Sequence, residues 1–162
     1  MDLYGKIHWQ PALMSKDLSA QAWTSAWALL KLFNHVAIHI LKAAGASGEP
    51  PTFTFQQGKT VSGNNAKALN FTKYKIRDAA DVTTVGTFTE TAVASTNTIT
   101  PAAGNTQEHI VVEFDAQDLD FQNGFNAFNV SIADVGSTAQ LCSIMYEFSE
   151  PRYSSNVSPI AN

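Results

Sequence analysis

The chain has 162 residues, 44% of them apolar and 15% charged, a balance that supports one folded domain with a substantial core and excludes general disorder. A net charge of −4 with no Lys/Arg cluster excludes broad binding to a phosphate backbone. Thr, Ser, Asn and Gln carry much of the polarity, which suits sheets with uncharged outer faces or surfaces that touch other proteins. Cys142 is the only cysteine, so neither an intrachain disulfide nor a cysteine-based zinc site can form. It falls on the apolar parity of its segment and reads as a small core residue.

Residues 1–21 show no sustained period and are interrupted by Pro11. They lack the basic start and apolar run of a signal peptide. Tyr4, Ile7, Trp9, Leu13 and Met14 are too many large apolar groups for a free tail, so the stretch reads as an extended N-terminal arm. Its expected role is to dock on a partner through those five residues, and its removal is expected to leave the domain folded.

Residues 22–44 fit two patterns. Trp23, Trp27, Leu30, Phe33, Ala37, Ile40 and Ala44 follow a helical stripe. A strand over 27–33 followed by alternating Val36, Ile38 and Ile40 fits as well, and the β-branched residues with the Gly45–Gly48 break favour strands. Lys31, Asn34, His35, His39 and Lys42 interrupt the segment, so it is not a membrane span. Further on, Phe53 and Phe55 mark a short strand, and residues 58–65 a loop. Leu69 and Phe71 share one parity while Tyr74 and Ile76 share the other, which predicts a bulge near Thr72-Lys73. The Thr-rich piece 86–93 suits a strand near a sheet edge, with Phe88 as its large side chain, and Ile99 sits in another Thr-rich piece.

The stretch 109–153 is the most regular. Ile110, Val112 and Phe114 alternate, as do Asn126, Phe128, Val130 and Ile132, and then Cys142, Ile144, Tyr146 and Phe148. A period of two over such lengths marks half-buried strands, and the three are expected to form one sheet with an apolar face. Together with the earlier segments the count is about eight strands at roughly ten-residue spacing. That pattern predicts an all-β sandwich of jelly-roll-like type over 22–153, preceded by the arm and followed by a Ser/Asn/Pro-rich tail at 154–162.

Motifs that would carry chemistry are weak. Asp115, Asp118, Asp120 and Asn123-Gly124 lack the ligand spacing of a calcium loop, and the expectation is a helical turn over 116–119 capped by Asp115. His35 and His39 have the spacing of a helical zinc pair, but on a strand they lie about 13 Å apart. His8 and His109 have no partner at motif spacing. Glu90, Glu108, Glu113 and Glu147 could supply the two carboxylates of a glycosidase, with nothing to select a pair. No nucleophile elbow, phosphate loop or nucleotide fingerprint is present. The expectation is therefore no catalysis, no metal and no cofactor.

The segments Gly63–Phe71, Asp81–Glu90, His109–Asp115, Asp118-Leu119, Gly124-Phe125 and Phe148–Tyr153 resemble small virion proteins of tailed bacteriophages, over about Val61 to Tyr153. The resemblance implies a capsid auxiliary protein, of cement or decoration type, with a jelly-roll-like sandwich. It also implies a place on the capsid surface after synthesis in the host cytoplasm, with the major capsid protein and neighbouring copies as partners. Few charges and two termini with unplaced apolar groups predict a homo-oligomer; the resemblance makes a trimer the first expectation and a dimer the second. No nucleic-acid or membrane partner is expected. The competing reading is a carbohydrate- or receptor-binding sandwich of a phage tail or fibre, which would use exposed tryptophans such as Trp9, Trp23 or Trp27.

Overall fold

In the computed structural model, which describes residues 6–79, 86–101 and 104–152, the chain is an all-β sandwich of two antiparallel sheets. Sheet I runs β1 (Ile7–Asp17), β12 (Leu141–Pro151), β4 (Phe33–Lys42), β10 (Gln107–Asp115), β7 (Phe71–Ala79), β8 (Thr89–Thr96). Sheet II runs β2 (Trp23–Thr24), β11 (Ala127–Ile132), β5 (Phe53–Gly58), β6 (Lys67–Ala68), with β3 (Ala28–Leu29) also on β11 and β9 (Thr98–Ile99) also on β5. Eight of these strands are six residues or longer, and the other four are two-residue pairings.

The core lies between the sheets and is made by alternation. On β4, Val36, Ile38 and Ile40 point inward, and on β10 Ile110, Val112 and Phe114 do the same. Phe128, Val130 and Ile132 on β11 meet Ile144, Tyr146 and Phe148 on β12, and all are buried. Phe128 touches the rings of Tyr146 and Phe148 at centroid distances of 4.9 and 6.0 Å. Each such side chain contributes about 1.5–3 kcal/mol on leaving water. The three regular C-terminal strands do not form one sheet as expected. Strands β10 and β12 flank β4 in sheet I, while β11 lies opposite them in sheet II. Alternation reports which side of a strand is apolar; it carries no information about which strand sits beside it.

Within the stretch expected to be an arm, Ile7–Asp17 form strand β1. It pairs with β12 from Ile7↔Ser149 to Asp17↔Leu141 and forms one edge of sheet I. Register shifts at Pro11/Leu13 and Leu13/Lys16, with Ser15 at φ 43°, break its alternation. Those bulges hid the strand from a period-two reading, and Pro11 is tolerated because an edge strand can leave one side without ladder donors. Tyr4 and the tail 154–162 lie outside the described residues. Residues 33–42 are a strand, which settles that segment against a helix, while 23–30 keeps only the short β2 and β3. A register shift falls where the bulge was expected, between Phe71 and Lys73, but its extra residues lie on β8, where residues 93–95 stand opposite Thr72 alone; β8 is an edge strand.

The irregular segment 23–30 is tied to the core by a buried hydroxyl network. Ser25 Oγ accepts from the Val130 N–H at 2.8 Å and lies 2.6 Å from the Tyr146 hydroxyl. Tyr146 donates its one proton to the Ala26 carbonyl at 3.0 Å, so Ser25 donates to Tyr146 and every member is satisfied. Burial pushes the Tyr146 phenol well above its usual range.

Candidate functional site

Outward-facing positions of sheet I gather the side chains most able to do chemistry or bind a partner. His35 and His39 share that face of β4, and His109 lies on it from β10. His39 Nδ1 is 3.0 Å from His109 Nε2, and His39 Nε2 is 3.1 Å from Glu147 Oε2 on β12. Glu147 can only accept while ionised, so neutral His39 donates from Nε2 and accepts at Nδ1 from the His109 Nε2–H. Aromatic rings close both ends of this chain. Trp9 on β1 packs on His39 at 5.3 Å, and Phe88 meets His109 edge-on at 4.9 Å. His109 is held down to about 4, chiefly by burial, then by His39 whenever that ring is protonated and by the Arg77 charge.

The row ends in a cleft of about 380 Å³ bounded by Leu41, Ala43 and Leu141, with Arg77 and His109 at its rim. Beneath the cleft, Lys42 and Glu108 face each other across β4 and β10. Lys42 Nζ donates to the carbonyls of Thr106 at 2.6 Å, Gly104 at 3.1 Å and Ala43 at 3.4 Å, and lies 3.6 Å from Glu108 Oε2. Glu108 Oε1 accepts from Thr106 Oγ1 at 2.8 Å. Desolvation is the main influence on both, lowering the Lys42 pKa and raising that of Glu108. Cys142 beside them is buried, and its thiol is pushed up to about 12 by desolvation, which makes it unreactive.

The carboxylates singled out in the sequence are dispersed. Glu90 pairs with Lys73, Glu108 with Lys42, Glu113 with Lys75 and Glu147 with His39. Asp115 stands at the N-cap of a short turn over Ala116–Asp118, as predicted, yet its carboxylate bonds His35 Nδ1 at 2.9 Å. Its own N–H is taken by Asp118 Oδ2 at 2.7 Å. Asp120 is engaged by Lys67 and Asn123, and those hydrogen bonds lower its pKa. Among the described residues no group of three His, Cys, Asp or Glu is placed to hold a metal ion.

Of the five proposed contact residues, Ile7, Trp9, Leu13 and Met14 lie on β1. Leu13 is buried in the sandwich core, which takes it out of any docking surface. Trp9 and Met14 are 50% and 61% exposed. Leu41, Leu141 and Phe88 are exposed as well, and the sequence did not single out the two leucines. Leu41 follows the outward parity of β4, the one signal that could have found it.

Comparison with known proteins adds little. No family model matches the chain, and no curated protein matches it. Among solved structures, the VP2 subviral particle of infectious bursal disease virus aligns over 91% of this chain and 42% of that one, at 11% identity and a TM-score of 0.26. A likeness that distant carries no argument about function.

Proposed function

We propose that this chain is a structural virion protein of the capsid cement or decoration type, which binds a phage shell and neighbouring copies of itself. The observation that supports it is the outer surface of sheet I, where Trp9, Leu41, Leu141 and Phe88 stand in water on a rigid sheet. Large apolar side chains grouped on one face mark a protein contact. The paired carboxylates and unreactive thiol accord with binding rather than catalysis. The sequence resemblance to phage auxiliary proteins names the class of partner. The test is co-sedimentation with undecorated capsids. The double substitution Trp9→Ser/Leu41→Ser should abolish binding and leave the thermal melt within a few degrees of the parent. Unchanged binding would refute this docking surface.

A second reading is favoured by one feature. Trp9 lies half-exposed beside His39, with Glu147 hydrogen-bonded on the far side of that imidazole. An aromatic ring next to polar groups is how a sugar ring is held, so a carbohydrate-binding role is the alternative. Saturable binding on a glycan array, lost on Trp9→Ser while capsids are ignored, would establish it in place of the first.

A further inference from the structure

We infer that the cleft at the end of sheet I is a binding site for a small apolar carboxylate, bedded on Leu41, Ala43 and Leu141 and held at its charged end by Arg77. This assignment goes beyond the virion reading and does not rest on it. At about 380 Å³ the cleft falls within the usual range for small-molecule sites, about 300–1,000 Å³. Its wall is aliphatic, and Leu41 and Leu141 remain 46% and 52% exposed, so an alkyl or aryl group laid on them would be removed from water at a gain.

The charged end is defined by Arg77. On β4 and β7 the other cations have a carboxylate: Lys42 has Glu108, Lys73 has Glu90 and Lys75 has Glu113. Arg77 has no salt bridge or hydrogen bond among the described residues, and its Nε is shut away from solvent with no acceptor. Arg77 as a whole is part-exposed and lines the cleft, so a carboxylate seated there can take a charge-assisted bond from its guanidinium. The stem of Arg77 lies along Gly86, where an added Cβ would come within 3.2 Å of its Cγ and Cδ. Glu108, the carboxylate in the cleft lining, has its charge set against Lys42 at 3.6 Å and its Oε1 bonded by Thr106, while its buried Oε2 has no hydrogen bond. Charge selects an anion, and the aliphatic walls select one with a hydrocarbon tail over phosphate or sulfate.

The test is titration of octanoate into ¹⁵N-labelled protein, following the Arg77 Nε–H and the backbone amides of Leu41, Ala43 and Leu141. Octan-1-ol supplies the tail without the charge, and inorganic phosphate the charge without the tail. Octanoate should give saturable shifts at all four groups, with both controls at least tenfold weaker. Arg77→Gln should weaken octanoate about ten- to hundredfold, as expected for the loss of one charged hydrogen bond, and Arg77→Lys should fall between. The amide spectra of both variants should otherwise match the parent, which keeps a folding defect distinguishable. No shift at these groups, equal binding to Arg77→Gln, or phosphate binding as tightly as octanoate would overturn the assignment.

Discussion

Lys42 shows how much one side chain can organise. Its ammonium closes the end of the sandwich by taking three carbonyls as well as Glu108. Lys42→Met would strand a buried carboxylate and free three acceptors at once, and should cost about 3–5 kcal/mol in denaturant unfolding. Glu108→Gln keeps the ammonium on its carbonyls and should cost only about 1–2 kcal/mol. Equal losses in the two variants would show that the ion pair, and not the carbonyl cage, holds this end. His109 sets a pH dependence. Its folded pKa, about 4, lies below its ordinary 6.5, so between those values the unfolded chain binds more protons and stability declines as pH falls. The titratable and charged groups facing His109 are His39 and Arg77, with Glu147 beyond His39. Glu108 works against it: a raised carboxyl favours the folded state below about 4.5, and that contribution is lost as pH rises through its folded value. His109→Gln should therefore flatten the acid-side loss by about 1–2 kcal/mol, allowing for solvent at its rim. Thermal melts from pH 4 to 7 would read it, and an unchanged acid limb would show that His109 is not responsible.

Strand β4 is the element on which sheet I is built, with β12 on one side and β10 on the other. Its inward Val36, Ile38 and Ile40 were legible as a strand; its outward His35, His39 and Leu41 supply much of the candidate surface. Strand β1 was the least legible, since two bulges and Pro11 erase its period, yet it buries Leu13 in the core. Deleting residues 1–14 should accordingly lower the melting temperature by about 5–10 °C, since burial of one leucine is worth about 1.5–3 kcal/mol and each kcal/mol is about 2–4 °C at this size. A melt within 1–2 °C of the parent, by differential scanning calorimetry, would return β1 to the status of a detachable arm. The two-residue strands β2, β3, β6 and β9 could not have been read from the chain, because a pairing that short exists only where a neighbour presents an edge. The His39–Glu147 and Lys42–Glu108 contacts were equally out of reach, since they join residues 108 and 66 positions apart whose spacing carries no motif.

At the scale of the molecule, the two edges of sheet I are unlike. Edge β1 carries Pro11 and two bulges, devices that discourage further strand pairing. Edge β8 has Glu90 as its only charge and is mostly exposed, so an added strand from a partner would meet less resistance there. The proposed oligomer, trimer before dimer, is checked by light scattering at tens of micromolar, where a monodisperse monomer would count against it. The pairing of β1 with β12 also has a temporal meaning. Trp9 lies opposite Glu147, so β1 waits for a partner more than a hundred positions further along the chain before it can pair. Crossings between sheets at most connections impose the same delay elsewhere, and closing such distant pairs is slow. Refolding from denaturant should take milliseconds to seconds rather than microseconds. A fragment ending at residue 136, which keeps β11 and lacks β12, should remain unfolded by circular dichroism. Until β12 has been made, β1 and β4 each have an unpaired edge open to misassociation.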